Sequence, residues 1–157
     1  MNITPGSNAA ALLQRLVDLE DINALLIRYC EALDSKNWTL LDEVFLKSAI
    51  CDYGQAGNPT GLEEIKQTII HVIGQVEITQ HFLANPSITI AGNSATANSY
   101  LLAQHIDPGR ETDGWYLLGG TYTDELVRCK EGWRIRYRQI HRRWHLGNSQ
   151  VTIQLND

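Results

Sequence analysis

The period of the sequence changes at Gly74. Before it, apolar residues recur at intervals of three and four; beyond it, residues 76–90, 94–106, 115–128 and 133–146 alternate and are rich in Ile, Thr, Tyr, Val and Trp. Alternation of this kind makes half-buried strands, and the connections "AGN", "DPGRETDG" and "KEG" are too short for anything but antiparallel neighbours. Four successive strands behind a helical first half, without alternation of strand and helix, predict an α+β domain whose helices cover one face of a curved sheet.

In the first half, Leu12, Leu16, Leu19, Ile22, Leu26, Tyr29/Cys30 and Leu33 mark one buried face of a helix over 12–33. "DSKN" interrupts the pattern, and "WTLLDEVF" resumes it as a short second helix with Leu41, Val44 and Phe45 inward. "AICDYG" reads as a short strand, "GNPTG" as a loop, and "LEEIKQTIIHVIG" as a third helix with acidic residues in its first turn and Gly74 at its end. With 157 residues, the chain is expected to form a single domain, its core spanning about 12–146. In the last strand Trp133, Ile135 and Tyr137 share one parity, whereas Ile140, Arg142 and Trp144 share the other. A β-bulge near Gln139 reconciles them and turns Arg142 towards the concave side. The alternative is an unbulged strand whose outer face carries Arg134, Arg136, Arg138 and Arg142.

The formal charge of −5 and pI near 5.5 oppose binding to nucleic acid or an anionic membrane, which leaves a small molecule as the expected ligand. The opening "MNITPGSNAAA" lacks a basic start followed by an apolar core, and no apolar run approaches the length of a membrane span, so a soluble cytoplasmic protein is expected. Cys30, Cys51 and Cys129 are odd in number and set in apolar patterns, so they read as small buried hydrophobes. His141 and His145 have metal-ligand spacing for a helix but lie in a strand without an HExxH glutamate, and no metal site is expected. P-loop, GxGxxG and GxSxG motifs are absent, so the expected chemistry uses side chains alone, without a cofactor.

Two residues break their patterns. Asp34 follows Leu26 and Cys30 at steps of four, so a persisting helix projects its carboxylate from the buried stripe. Burying it unpaired is costly, so it needs a partner or a wet cavity; alternatively the helix frays at Leu33 and Asp34 caps the turn "DSKNW". His81 shares strand parity with Leu83 and Asn85. A histidine titrates near neutrality, and a carboxylate on its far nitrogen fixes its tautomer and raises its basicity. If Asp34 and His81 meet, each accounts for the other.

The order and spacing of "LEDINALLIRYCEALDSKNWTLLDEVF", "TQHFLANPSITI", "GGTYTDEL" and "GWRIRYRQIHRRW" resemble the SnoaL-like branch of the nuclear-transport-factor-2-like (NTF2-like) superfamily, over about Leu19 to Trp144. The resemblance implies a cone: a highly curved antiparallel sheet with helices against it, enclosing an apolar pocket. It is greatest to the cofactor-independent eliminating enzymes bile-acid dehydratase, scytalone dehydratase and hexachlorocyclohexane dehydrochlorinase. In these an Asp near the end of the first helix pairs with a strand His, matched here by Asp34 and His81, which places the Asp34 carboxylate facing a cavity. Tyr29 and Arg142 match further positions of the bile-acid dehydratase pattern. Because five residues on an ideal helix turn through about 140° from the same face, Tyr29 is expected to share the pocket only if the helix distorts. Gln104 stands where the bile-acid enzyme carries Asp, and Thr121 where some relatives carry Arg.

The activity implied is that of a lyase or isomerase on a small hydrophobic cyclic substrate. His81 removes a proton from carbon, Asp34 orients it, and Tyr29 or Arg142 donates to a carbonyl or leaving hydroxyl. Trp115, Tyr116 and Trp144 are candidate pocket walls, and Gln104 and Thr121 candidate pocket residues. The same fold serves in noncatalytic binding or assembly domains and in polyketide cyclases, and those alternatives stand open. The outer sheet face, including "RIRYR" and parts of "LLAQHI", is expected to pack against further copies as a homotrimer or homodimer.

Overall fold

The structure is a computed structural model that describes the backbone of residues 5–152 and the side chains of 8–152; the first residues of the opening "MNITPGSNAAA" lie outside it. Helix α1 (Pro5–Asp34) runs 30 residues without a break, about 45 Å at 1.5 Å per residue. Its buried stripe is Ile22, Leu25, Leu26, Tyr29, Ala32 and Leu33. The apolar stripe read from Leu12 onward begins burying only at Asp18, because the helix outruns the sheet: Leu12, Leu13, Leu16 and Val17 are exposed. The carboxylate of Asp18 marks the first contact, accepting from Arg128 and, at 3.3 Å, from the indole of Trp133.

Lys36, in the left-handed region at φ 57°, ends the helical path. A 3-10 turn over Trp38–Glu43 buries Leu41. Phe45 does not continue a second helix, as its spacing predicted, but opens strand β1 (Phe45–Asp52). Val44 still has the helical backbone that closes the 3-10 turn, Phe45 suits an extended one, and the Val44 carbonyl accepts from the Ile135 N–H at 2.8 Å. Helix α2 (Leu62–Ile73) buries Leu62, Ile65, Ile69 and Ile73, starts with Glu63 and Glu64, and ends at Gly74.

Strands β2 (Ile78–Ala91), β3 (Ser94–Ile106), β4 (Trp115–Cys129) and β5 (Gly132–Gly147) form the antiparallel meander, and β1 adds in parallel to β5, giving the order β1-β5-β4-β3-β2. Burial alternates strictly along β3: Ala95, Ala97, Ser99, Leu101, Ala103 and His105 point inward. The meander is irregular at three places, which curve it. In β2 the extra residue falls between Ala84 and Ser87, where Asn85 adopts φ 51°. In β5 the extra residues are Arg136 and Arg143, opposite Glu125/Leu126 and Gly119/Gly120.

Register is unbroken from Tyr137 to Arg142, so no bulge lies at Gln139. The predicted change of parity happens three residues earlier, at Arg136, whose side chain turns outward to Glu125 at 2.5 Å. From there Arg138, Ile140 and Arg142 face the interior. Arg138 is therefore fully buried rather than on an outer arginine face. Among the described residues no helix is long and apolar enough to cross a membrane.

Candidate active site

Helix α1 persists through Asp34, so Asp34 does not cap the following turn; it reaches sideways to the exposed edge of the sheet, where β2 begins. There its two oxygens grip one residue. Oδ1 meets Nδ1 of His81 at 2.7 Å, and Oδ2 accepts the His81 backbone N–H at 2.9 Å. Thr79, which shares the inward parity of His81, donates its hydroxyl to Oδ1 at 3.0 Å, and Lys36 Nζ donates in turn to Thr79 at 2.9 Å.

Burial favours the protonated Asp34 carboxyl. The bonds from the His81 ring and backbone, the His81 charge and the Thr79 hydroxyl outweigh it and hold the group below the ordinary carboxylate range. In the neutral imidazole, an ionised acceptor at Nδ1 fixes the tautomer that carries its proton there and leaves Nε2 the lone pair.

His81 lines a cavity of about 640 Å³, its mouth included, among Tyr29, Leu33, Tyr53, Ile69, Leu101, Ala103, His105, Tyr116, Leu118, Tyr122, Ile140 and Arg142. Asp34 is not part of this wall. It stands behind His81 rather than facing the cavity, which corrects the expectation drawn from the resemblance; the helix phase called for a partner or a wet cavity, and His81 is that partner. The same geometry removes the need for a distorted helix: Tyr29 projects into the cavity and Asp34 away from it, as about 140° between them requires.

Four of the residues predicted for the pocket face the other side of the sheet. Gln104 pairs with Leu117, Thr121 with Tyr100, Trp144 with Gly119 and Trp115 with Ile106, all of outward parity. Trp115 and Trp144 are 45% and 46% exposed on that outer surface, and the ring of Trp144 lies where a side chain on Gly119 would sit, 2.1 Å from the ideal Cβ. The extra residue at Arg143 is the cause, because it reverses the parity that would have put Trp144 beside Arg142. Tyr116 does line the cavity, as does Arg142, whose Nη1 donates to Gln55 Oε1 at 3.4 Å near the rim.

Sequence reasoning missed His105, one residue from Gln104. Its ring is buried, stands edge-on to His81 with centroids 5.5 Å apart, and leans on Tyr116. Burial, and then the charge of His81, push its pKa down to about 3, so it is neutral at physiological pH. The signal was present in the alternation of Leu101, Ala103 and His105. Tyr53 and Tyr122 were missed as well. The hydroxyls of Tyr29 and Tyr122 lie 3.3 Å apart, and burial raises the pKa of Tyr29, Tyr53 and Tyr122, so all three stay protonated donors.

Beneath them Arg138 is clamped between the rings of Tyr29 and Tyr122, 4.1 and 4.2 Å from their centroids, while Nε and Nη2 each bond Asp124 at 2.7 Å. Burial opposes its charge, but Asp124 more than offsets this, and Arg138 remains a cation. The pair fixes the ring positions of the floor.

Residues 14–139 match the SnoaL-like domain family. The chain belongs to that family. This SnoaL-like chain is 31% identical over 119 residues to an uncharacterised protein of Mycobacterium tuberculosis, covering 75% of the chain and 80% of the relative. Its fold is similar to that of a protein of Novosphingobium aromaticivorans proposed to be a scytalone dehydratase, with 23% identity, a TM-score of 0.77, and 85% and 89% of the two chains covered. It is also similar to a type 2 hexachlorocyclohexane dehydrochlorinase, with 15% identity, a TM-score of 0.76, and 87% and 92% covered. The architecture is thus the NTF2-like one that the sequence resemblance implied.

Proposed function

We propose that this SnoaL-like protein is a lyase of the dehydratase type, or an isomerase, that acts on a small hydrophobic cyclic substrate with side chains alone. The observation that carries this reading is the 2.7 Å bond from Asp34 to Nδ1 of His81, which leaves Nε2 of a cavity-lining imidazole as a base. Nε2 takes a proton from a substrate carbon acidified by a neighbouring carbonyl, and Asp34 stabilises the imidazolium that forms. General base catalysis of this kind is worth about 10² to 10⁴ in rate. The protonated hydroxyls of Tyr29 and Tyr122 suit the developing enolate oxygen, where a fixed donor acts most strongly on the transition state. The dehydratase and dehydrochlorinase likenesses support an elimination rather than another use of the cavity.

The test is a panel of cyclic hydroxy-ketones, steroids and polyketide analogues incubated with the protein and followed by mass spectrometry for loss of water or isomerisation, alongside His81→Ala. Turnover that disappears in a folded His81→Ala protein supports the reading. Full turnover in that variant refutes it, and ring closure in place of water loss moves the assignment to a cyclase.

A further inference from the structure

The cavity is almost free of formal charge. Of the side chains that line it, Arg142 alone is permanently ionised, and no carboxylate is among them. Among the described residues no acidic group lies within ion-pair distance of Arg142, whereas Arg138, the other arginine of β5 that faces the interior, is paired with Asp124. Its one polar contact is the 3.4 Å bond to the neutral Gln55. The carboxylate of Asp52, three residues before Gln55, is already held by Gln139 at 2.8 Å and by the Gly54 N–H at 3.0 Å.

In the open cavity this guanidinium is exposed, and water satisfies it. A ligand that fills the cavity removes that water, and a neutral ligand then leaves charged donors unpaired at an apolar boundary. A carboxylate accepts two parallel N–H bonds from the planar guanidinium and avoids that cost. From this asymmetry we infer that the ligand of the cavity is a monoanionic cyclic carboxylic acid, its carboxylate on Arg142 at the mouth and its ring system among the tyrosines and aliphatic side chains within. Resting on the proposed function, the inference names the substrate class: a ring acid that presents its reacting C–H to His81 while Arg142 sets its orientation. Arg142 is then a specificity-determining residue rather than the donor to the leaving group, and that donor comes from the cavity floor.

The test compares 2-naphthoate with 2-naphthamide, which share a skeleton and differ in charge, by isothermal titration calorimetry on wild type, Arg142→Met and Arg142→Lys. Wild type should prefer the naphthoate by about 10- to 100-fold, the range for hydrogen bonds to charged groups. Arg142→Met should abolish the preference, with naphthamide affinity retained or raised because no guanidinium is left unpaired, and Arg142→Lys should restore part of the preference. The side chain is exposed, so these variants retain the fold, and retained naphthamide binding verifies the cavity directly. Equal affinities in wild type, a preference that survives in Arg142→Met and so places the anion on His81, or no binding of either compound would each overturn the inference. The readout is binding, so loss of the catalytic reading through His81→Ala leaves this result standing, and the reverse.

Discussion

His105 is neutral in the folded protein because burial disfavours its charged form, and the unfolded chain carries no such penalty. The groups that face it are His81 and Lys36, which lower its pKa further, and Asp34 and the Tyr116 backbone, which raise it; the net value is about 3 against an ordinary 6.5. Between those two values the unfolded state binds a proton that the folded state refuses, so stability falls as pH is lowered from 6.5 towards 3. At about 1.4 kcal/mol per pH unit, lowering the pH from 7 to 5 should cost about 2 kcal/mol from this one residue. With a urea slope of about 2 kcal/mol per molar, the unfolding midpoint should drop by about 1 M. His105→Gln removes the titrating group, so its midpoint should fall much less over the same interval, whatever its absolute stability. Urea unfolding of both proteins at pH 7, 6 and 5 measures the two slopes. Parallel slopes would refute the reasoning and mean that the ring accepts a proton within the fold.

If Asp34 and His81 act as one catalytic unit, Asp34→Asn should lower kcat by about 10² or more with little change in ligand affinity, and adding His81→Ala should cost little further; full additivity in the double mutant would separate their roles. Arg138→Met leaves the Asp124 carboxylate buried and unpaired and should destabilise by about 3 to 5 kcal/mol, whereas Arg138→Met with Asp124→Leu should recover most of that loss, both read from chemical unfolding. An equally damaged double variant would show that the guanidinium's ring contacts, not the charge pair, hold the floor. Gly120→Ala brings a Cβ to 2.4 Å from the His141 carbonyl oxygen and should cost about 1 to 3 kcal/mol, since backbone, not a movable side chain, blocks it; an unchanged melting temperature would contradict this.

The meander was legible because each strand carries its own alternation. Periodicity marked Asp34 and His81 as residues that break their patterns, with a turn cap open for Asp34, and the resemblance to the SnoaL-like branch paired them. What escaped depends on register between segments. Gln104 and His105 are neighbours, and only the pairing of β3 with β4 says which one turns inward. Trp144 follows the parity of Ile140 and Arg142 until an extra residue at Arg143, which no local pattern announces, reverses it. The burial of Arg138 likewise needs Asp124, fourteen residues away across the hairpin. An arginine in an alternating strand of an acidic protein reads as solvated until its partner is known. The length of α1 misled in the opposite sense, because its apolar spacing continues past the point where the sheet ends, and none of the described residues covers Leu12 to Val17.

β2 is an edge strand, and an edge strand offers its unpaired N–H groups to any other chain. At His81 that offer is withdrawn, because the backbone N–H is taken by the same carboxylate that orients the ring. Asp34 thus does the work of a missing neighbouring strand at the residue whose ring it also holds. Fixing the imidazole and guarding the sheet edge are one bond pattern, so a drift of the helix end by a single residue would release the ring and expose a site for strand addition together. Variants at position 34 should therefore be enriched in aggregates, and, if the proposed activity holds, depleted in turnover as well.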